Sequence, residues 1–243
     1  MTSNSVKYYS KFLDREVEIN YYGYYGPILL MFPAMSDDAG IYEEQGTIDA
    51  IADLIKHGKF RVITVSSINN EIIFEHKLTK KEKSERISAY SHFITEEVFE
   101  EVNRITGGSS AIIACGASVG AFIASNVYFK RPDCFIGLIS MSGFFNIEYM
   151  IPNYFDDECY FNSPKHFLPN LKDDYWLSYI RNCRHIYLFS GKGENERPQY
   201  TEWLSLILNG KKINHVCEIW DENFGHNFKT WNAMLRNILK EKF

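Results

Sequence analysis

The sequence of 243 residues has no apolar run close to the length that spans a lipid bilayer. A membrane-spanning helix needs about 20 consecutive apolar residues, so we expect no membrane partner. The sequence also lacks a basic stretch followed by an apolar core near its N-terminus, which is the pattern of a secretory signal. The expected location is therefore the cytoplasm.

Paired cysteines and excess basic charge are also absent. The five cysteines are an odd number, and none stands in a Cys-x-x-Cys pair. Disulfide frameworks use an even number of cysteines, and many zinc sites use close pairs. The formal net charge is −5, which leaves no basic footprint for nucleic acid. We expect reduced cysteines, no metal, no cofactor and no nucleic-acid partner.

Aromatic residues, in contrast, are abundant at 16% of the chain. Many of them crowd into residues 143–175, where helical and strand periodicity both fail. An insertion here would lie over the carboxyl edge of a sheet, so its aromatic side chains could wall a substrate pocket. Phe144, Tyr154 and Tyr160 are the substrate-binding candidates. The alternatives are an irregular loop with its own small core, or a homo-oligomer interface.

The rest of the chain alternates short apolar runs with helix-like segments. The predicted strands are 27–32, 61–65, 110–115, 135–141, 185–190 and 216–220. The predicted helices are 46–57, 81–106, 120–129, 175–181, 200–208 and 227–240. Two β-prone runs, 7–12 and 15–22, precede them and predict an antiparallel hairpin. This alternation predicts a single α/β domain over residues 1–243, with a mostly parallel, doubly wound sheet whose ligands bind at the carboxyl ends of the strands.

One strand-like run leads directly into a motif with chemical meaning. Residues 111–120 read AIIACGASVG, which places Ser118 in a Gly-x-Ser-x-Gly frame ahead of a helix-like segment. In so sharp a turn, side chains at Gly116 and Gly120 would collide with the neighbouring strand and helix. The frame alone could be a glycine-rich turn. Between a strand and a helix it indicates the nucleophile elbow of an α/β-hydrolase, with Ser118 as the nucleophile.

A serine hydroxyl is a poor nucleophile at neutral pH and needs a general base. Among the seven histidines, His226 lies beyond the last predicted strand and before the last helix, where this fold presents its base. His57, His76 and His92 precede the serine, and the other three fit the fold less well. The alternative for His226 is a loop histidine that only caps the last helix.

The acid that orients the base is expected in the loop after strand 185–190. Glu194 stands nearer the strand end and is slightly favoured. Glu196 would serve if the loop curls back. Asp221 and Glu222, which are close to the histidine in sequence, are further alternatives.

The oxyanion of the reaction needs two backbone N–H donors. One is expected from Val119, the residue after the nucleophile. The other is expected from the loop after strand 27–32, at Met35 or else Ala34. Asp37 and Asp38 in that loop are more typical of a solvated turn than of a cation site.

Further motifs extend along nearly the whole chain. They are Phe32-Pro33 with Tyr42-Glu43, the elbow at 115–121, the segments 160–164 and 168–171, the run 190–193, and Gly225-His226. Together they resemble the bacterial putative esterase family of the α/β-hydrolase superfamily, the group related to esterase D. This resemblance implies a Ser118 nucleophile, a His226 base and an acid after Ser190. The chain departs from the family in having Asn227 after the histidine and no paired glycines after Pro33.

The function expected from these residues is hydrolysis of a small carboxylic ester through an acyl-enzyme on Ser118. The same residues could transfer the acyl group to an alcohol. A second class of function is a catalytically silent scaffold that binds a small molecule or a partner through the aromatic insertion.

Overall fold

A computed structural model describes residues 4–75, 77–108 and 111–243 of the chain. His76, one of the histidines considered as a base, and Ser110, at the start of a predicted strand, lie outside the described residues. No helix in the described ranges is long and apolar enough to cross a membrane.

The described residues form one eight-stranded sheet. Its strands are β1 (Asn4–Ser10), β2 (Arg15–Tyr22), β3 (Ile28–Phe32), β4 (Arg61–Val65), β5 (Ile112–Ala117), β6 (Gly137–Met141), β7 (His185–Ser190) and β8 (Val216–Ile219). The spatial order is β1-β2-β4-β3-β5-β6-β7-β8. β1 and β2 pair antiparallel with each other, and β2 pairs antiparallel with β4. All the remaining pairs are parallel. The predicted α/β fold, with a mostly parallel sheet and an N-terminal hairpin, is confirmed.

Helices cover both faces of this sheet. They are α1 (Ile41–Glu44), α2 (Thr47–Ala50), α3 (Ala52–Lys56), α4 (Lys80–His92), α5 (Phe99–Thr106), α6 (Val119–Lys130), α7 (Asp157–Phe161), α8 (Pro164–Asn170), α9 (Asp174–Asn182), α10 (Pro198–Gly210) and α11 (Phe228–Glu241). Side chains of β3 alternate between two buried clusters. Ile28, Leu30 and Phe32 pack in the cluster that includes α4, α6 and α10. Leu29 and Met31 pack in the cluster that includes α2, α3 and α11.

Several predicted bounds differ from the structure. β1 ends at Ser10, two residues before the predicted end, because the chain turns over residues 11–14 with Asp14 in the left-handed region. The helix predicted at 46–57 is two short helices that meet at Ile51, whose φ of −120° is not helical. The helix predicted at 81–106 contains a π-helical segment, Phe93–Val98, between α4 and α5.

The aromatic insertion is more regular than its sequence indicates. It contains a 3₁₀ turn at Ile147–Tyr149 and the two short helices α7 and α8. Buried residues of the insertion, such as Ile147 and Leu168, belong to the same cluster as α4 and α6. The alternative of an irregular loop with its own small core does not describe these residues, because they pack into the main core.

The turn from β5 into α6 depends on close backbone contacts. A Cβ at Gly116 would lie 2.3 Å from the carbonyl carbon and oxygen of Gly120, and a Cβ at Gly120 would lie 2.1 Å from the carbonyl oxygen of Phe32. These contacts are far shorter than any carbon side chain allows. The collisions expected at both glycines are confirmed, and they bring the first turn of α6 against the end of β3.

We predict that Gly120→Ala lowers the free energy of unfolding by about 2 kcal/mol or more, because the added methyl must push β3 and α6 apart. Gly210→Ala is the matched control, since a Cβ at Gly210 meets no atom within 4 Å and its backbone is not left-handed. This control should stay within about 1 kcal/mol of wild type. Denaturant unfolding measures both changes, and equal effects of the two substitutions would contradict the packing argument.

Candidate active site

Ser118 occupies a strained position between β5 and α6. Its φ is 53° and its ψ is −118°, which is unusual for a residue with a side chain. Backbone strain of this kind costs on the order of 1–3 kcal/mol and is concentrated at functional sites. The N–H of Ser118 donates to the carbonyl of Met141 at 2.9 Å, which ties the turn to the end of β6. Holding this hydroxyl in place therefore lowers the stability of the fold.

His226 meets that hydroxyl from the other side of the cleft. Its Nε2 lies 2.9 Å from Ser118 Oγ. The His226 N–H donates to the carbonyl of Glu194 at 2.9 Å, and its ring stands edge-on to Trp231 with centroids 5.0 Å apart. The alternative of a helix-capping histidine does not describe this residue, because Asn227 caps α11 through the Thr230 N–H.

Glu196 supplies the carboxylate next to His226. Its Oε2 lies 3.5 Å from His226 Nδ1, and its side chain is 1% exposed. At that distance the contact is longer than an ordinary hydrogen bond, and Nδ1 has no closer partner among the described residues. The carboxylate is nevertheless the acidic group that lies next to the imidazole.

Two serines hold the buried carboxylate of Glu196 in place. Ser142 donates to Oε1 at 2.5 Å, and Ser190 donates to Oε2 at 3.1 Å. Trp231 Nε1 donates to Ser142 Oγ at 3.0 Å and so extends the network. Burial raises the pKa of Glu196, but the His226 ring and the two hydroxyl donors outweigh burial and hold that pKa below its usual value.

The structure does not place Glu194, the slightly favoured candidate, beside the imidazole. The Glu194 side chain is exposed, and this residue contributes only its backbone carbonyl to His226. The loop curls at Asn195, whose φ of 62° is left-handed, and this turn directs Glu196 inward. The side chains of Asp221 and Glu222 are also exposed.

The loop after β3 approaches the same site. Val119 is the first residue of α6, so its N–H has no acceptor within the helix. Met35 lines the cleft and is 48% exposed, whereas Ala34 is buried. Asn69 holds this loop, because its Nδ2 donates to the carbonyls of Pro33 and Ser36, each at 3.1 Å.

The carboxylates of that loop form turns and contacts within the protein. Asp37 Oδ1 accepts from the Asn70 N–H, and Asp38 Oδ1 accepts from the Gly40 N–H. In the described ranges, no group of three or more histidine, cysteine, aspartate or glutamate side chains is arranged to hold a metal ion.

A cleft of about 340 Å³ opens above Ser118 and His226. Of the three substrate-binding candidates, the structure brings only Phe144 to this cleft. Tyr154 donates to Asp156 at 2.9 Å, and Tyr160 accepts from Asn170 at 3.2 Å beside a different surface depression. Both belong to the part of the insertion that folds into α7 and its flanks, away from the serine.

Sequence reasoning missed several residues of the site. They are Asn69, Ser142, Tyr149, Ser190, Arg197 and Tyr200. A usable signal exists for the two serines, because Ser190 ends β7 and Ser142 directly follows β6, where parallel strands present functional side chains. Tyr149 lies in the aromatic insertion, which is itself a signal for a pocket wall, but no comparable signal marks Asn69 or Tyr200.

We predict that Glu196 adds a pH-dependent contribution to stability. Its folded-state pKa lies below the ordinary value of 4.5, so the folded protein binds fewer protons at this site than the unfolded chain. The contribution is fully present above the unfolded pKa and is lost as the pH falls through the folded pKa. The difference in unfolding free energy between wild type and Glu196→Gln should therefore shrink on acidification. Urea unfolding of wild type and Glu196→Gln at several pH values measures this difference, and a difference that does not change with pH would contradict the prediction.

The chain matches a known protein family over most of its length. The model of the family described as "Putative esterase" matches residues 10–241. No curated protein matches the chain.

Solved structures share the fold at low sequence identity. A ferulic acid esterase aligns with a TM-score of 0.74 at 15% identity, over 98% of this chain and 96% of its own. An S-formylglutathione hydrolase from Agrobacterium tumefaciens aligns at 0.71 and 14%, over 98% and 93%. The fluorophosphonate-binding serine hydrolase F of Staphylococcus aureus aligns at 0.67 and 15%, over 98% and 96%. With an α/β-hydrolase fold and a family match over almost its entire length, the chain belongs to the putative esterase family.

Proposed function

We propose that this protein is a serine hydrolase that cleaves a carboxylic ester through an acyl-enzyme on Ser118. The observation that carries this proposal is the 2.9 Å contact between Ser118 Oγ and His226 Nε2 at the base of an open cleft. The buried carboxylate of Glu196 behind the imidazole supports the same assignment. Membership of an esterase family and likeness to solved esterases and hydrolases also support it.

In the first step, Ser118 Oγ forms a bond to the ester carbonyl carbon, and its proton passes to His226 Nε2. The carboxylate of Glu196 stabilises the resulting imidazolium and keeps Nδ1 protonated. The carbonyl oxygen becomes an oxyanion, which the N–H groups of Val119 and Met35 would bind. Backbone donors held in place before the reaction need little reorganisation as charge develops.

The tetrahedral intermediate then collapses. The bond to the alcohol oxygen breaks, and His226 gives its proton to the departing alcohol, which leaves an acyl group on Ser118. A water molecule next attacks the acyl carbonyl while His226 accepts its proton. A second collapse releases the carboxylic acid and restores the serine hydroxyl. An alcohol in place of this water would give acyl transfer with the same residues.

The test combines covalent labelling with turnover. Wild-type protein should gain the mass of one fluorophosphonate group and release p-nitrophenol from its short-chain esters. Ser118→Ala should lose labelling and lower turnover by about 10⁴-fold or more. Ser178→Ala, on the exposed face of α9, is the matched control and should retain both. Added ethanol distinguishes hydrolysis from acyl transfer, because transfer would yield the ethyl ester.

Two results would contradict the proposal. One is folded wild-type protein that neither reacts with the fluorophosphonate nor hydrolyses any ester, which is the behaviour of a silent scaffold. The other is labelling that persists in Ser118→Ala.

We predict that Asn69→Ala lowers kcat by about tenfold or more with little change in KM. Asn69 does not line the Ser118 cleft, but it holds the loop that carries the Met35 N–H. Complete loss of an oxyanion donor costs about 10²–10³ in kcat, and displacement of the loop should cost part of that. Steady-state kinetics on a p-nitrophenyl ester, with circular dichroism as the folding control, measures the effect. An unchanged kcat in folded Asn69→Ala protein would contradict the positioning role of Asn69.

A further inference from the structure

A second pocket adjoins the cleft of Ser118. Its volume is about 200 Å³, and its walls include Phe145, Lys165 and Trp203. Tyr149 and Tyr200 line both this pocket and the cleft, and their hydroxyl groups contact each other. An apolar cavity of about 150 Å³ already admits a benzene molecule, so the second pocket has room for part of a substrate. The two spaces therefore lie side by side, with one pair of tyrosines between them.

The charged residues that line these two spaces are of one sign. Arg197 lines the cleft and Lys165 lines the second pocket, and among the described residues neither lining contains a carboxylate. Glu196 is buried behind His226, where its charge faces the imidazole. The chain as a whole carries a formal net charge of −5. The positive lining is therefore opposite in sign to the overall charge of the protein.

Arg197 is exposed, and among the described residues its guanidinium has no ion-pair or hydrogen-bond partner. Other arginines of the chain do form such pairs, for example Arg236 with Asp53 and Arg131 with Asp133. The hydrogen bond to Tyr200 and burial raise the pKa of Tyr149 to about 12. The positive charge of Arg197 opposes this increase, and the negative charge of Glu148 adds to it. Arg197 and both tyrosines line the same cleft.

A free guanidinium in the same cleft as Ser118 can bind an anionic group. Its planar fork donates two parallel hydrogen bonds, which match a carboxylate or a phosphate. A neutral ester would leave this group unused, whereas an anionic ester would be both attracted to the cleft and oriented in it.

From these contacts we infer that the substrate is an ester carrying an anionic group, a carboxylate or a phosphate, and that Arg197 determines this specificity. The ester carbonyl lies at Ser118, the anion meets Arg197, and Lys165 adds positive potential from the second pocket. This inference rests on the proposed function, because it assigns the substrate class of the same site.

The test compares esters that differ only in charge. The p-nitrophenyl monoester of adipic acid ends in a carboxylate, and p-nitrophenyl hexanoate has the same chain length with an apolar end. A third ester, of 5-phosphonopentanoic acid, carries a phosphonate. We expect wild type to prefer an anionic ester over the hexanoate, and the preferred one identifies the anion. Arg197→Gln should lower the ratio of kcat/KM values, anionic to neutral, by about 10- to 100-fold.

Arg184→Gln is the matched control, since Arg184 is an exposed cation directly before β7, at the opposite end of the sheet from the site. It removes the same charge and should leave the ratio unchanged. A wild type that prefers the hexanoate, or an Arg197→Gln ratio equal to that of wild type, would overturn the inference.

Failure of the proposed function is distinguishable from failure of this inference. Hydrolysis of p-nitrophenyl hexanoate by wild type, compared with that by Ser118→Ala, tests the proposed function alone. Binding of monomethyl adipate and methyl hexanoate to Ser118→Ala protein, measured by calorimetry, tests the inference without catalysis. Tighter binding of the adipate that is lost in the Ser118→Ala, Arg197→Gln double variant supports the inference, and equal binding of both ligands overturns it.

Discussion

The backbone of Gly120 lies so close to the carbonyl of Phe32 that no side chain fits between α6 and β3. This contact, together with the one between Gly116 and Gly120, requires the chain to reverse within a few residues. Ser118 takes a positive φ as a result and presents its hydroxyl at the carboxyl edge of the sheet. The same contact places the first N–H groups of α6 beside the loop that follows β3. The elbow therefore positions the serine and the expected oxyanion donors in one step.

A second constraint is the burial of Glu196. Burial of a carboxylate costs a large solvation free energy unless hydrogen-bond donors of the protein replace the lost contacts with water. Ser142 and Ser190 donate to this carboxylate, the His226 ring lies 3.5 Å from it, and Trp231 fixes Ser142. The ends of β6 and β7, the loop after β7 and helix α11 therefore all contribute to the orientation of one imidazole. The cleft opens above this network at Ser118 and His226, while the carboxylate behind the imidazole stays away from solvent.

Much of this arrangement follows from sequence alone. The apolar runs predict β4 and β7 at their observed bounds, because strands covered on both faces are continuously apolar. The β-prone run 15–22 likewise predicts β2 at its observed bounds. Which of Glu194 and Glu196 faces the imidazole, in contrast, depends on the left-handed backbone of Asn195, and no local sequence pattern specifies that backbone. The crowding of aromatic residues in the insertion also points to Tyr154 and Tyr160 as pocket residues. The short helices of the insertion direct both side chains away from the cleft. Asn69 acts through a contact between distant segments, so sequence order does not reveal it.

A crystal structure of the protein after reaction with a fluorophosphonate tests the central claim most directly, because the adduct imitates the tetrahedral intermediate. We expect phosphorus bonded to Ser118 Oγ, its free oxygen within hydrogen-bond distance of the Val119 and Met35 N–H groups, and a contact between Glu196 and His226 shorter than the present 3.5 Å. An adduct on another residue, or an imidazole turned away from Glu196 with its Nδ1 on a different acceptor, would contradict the account.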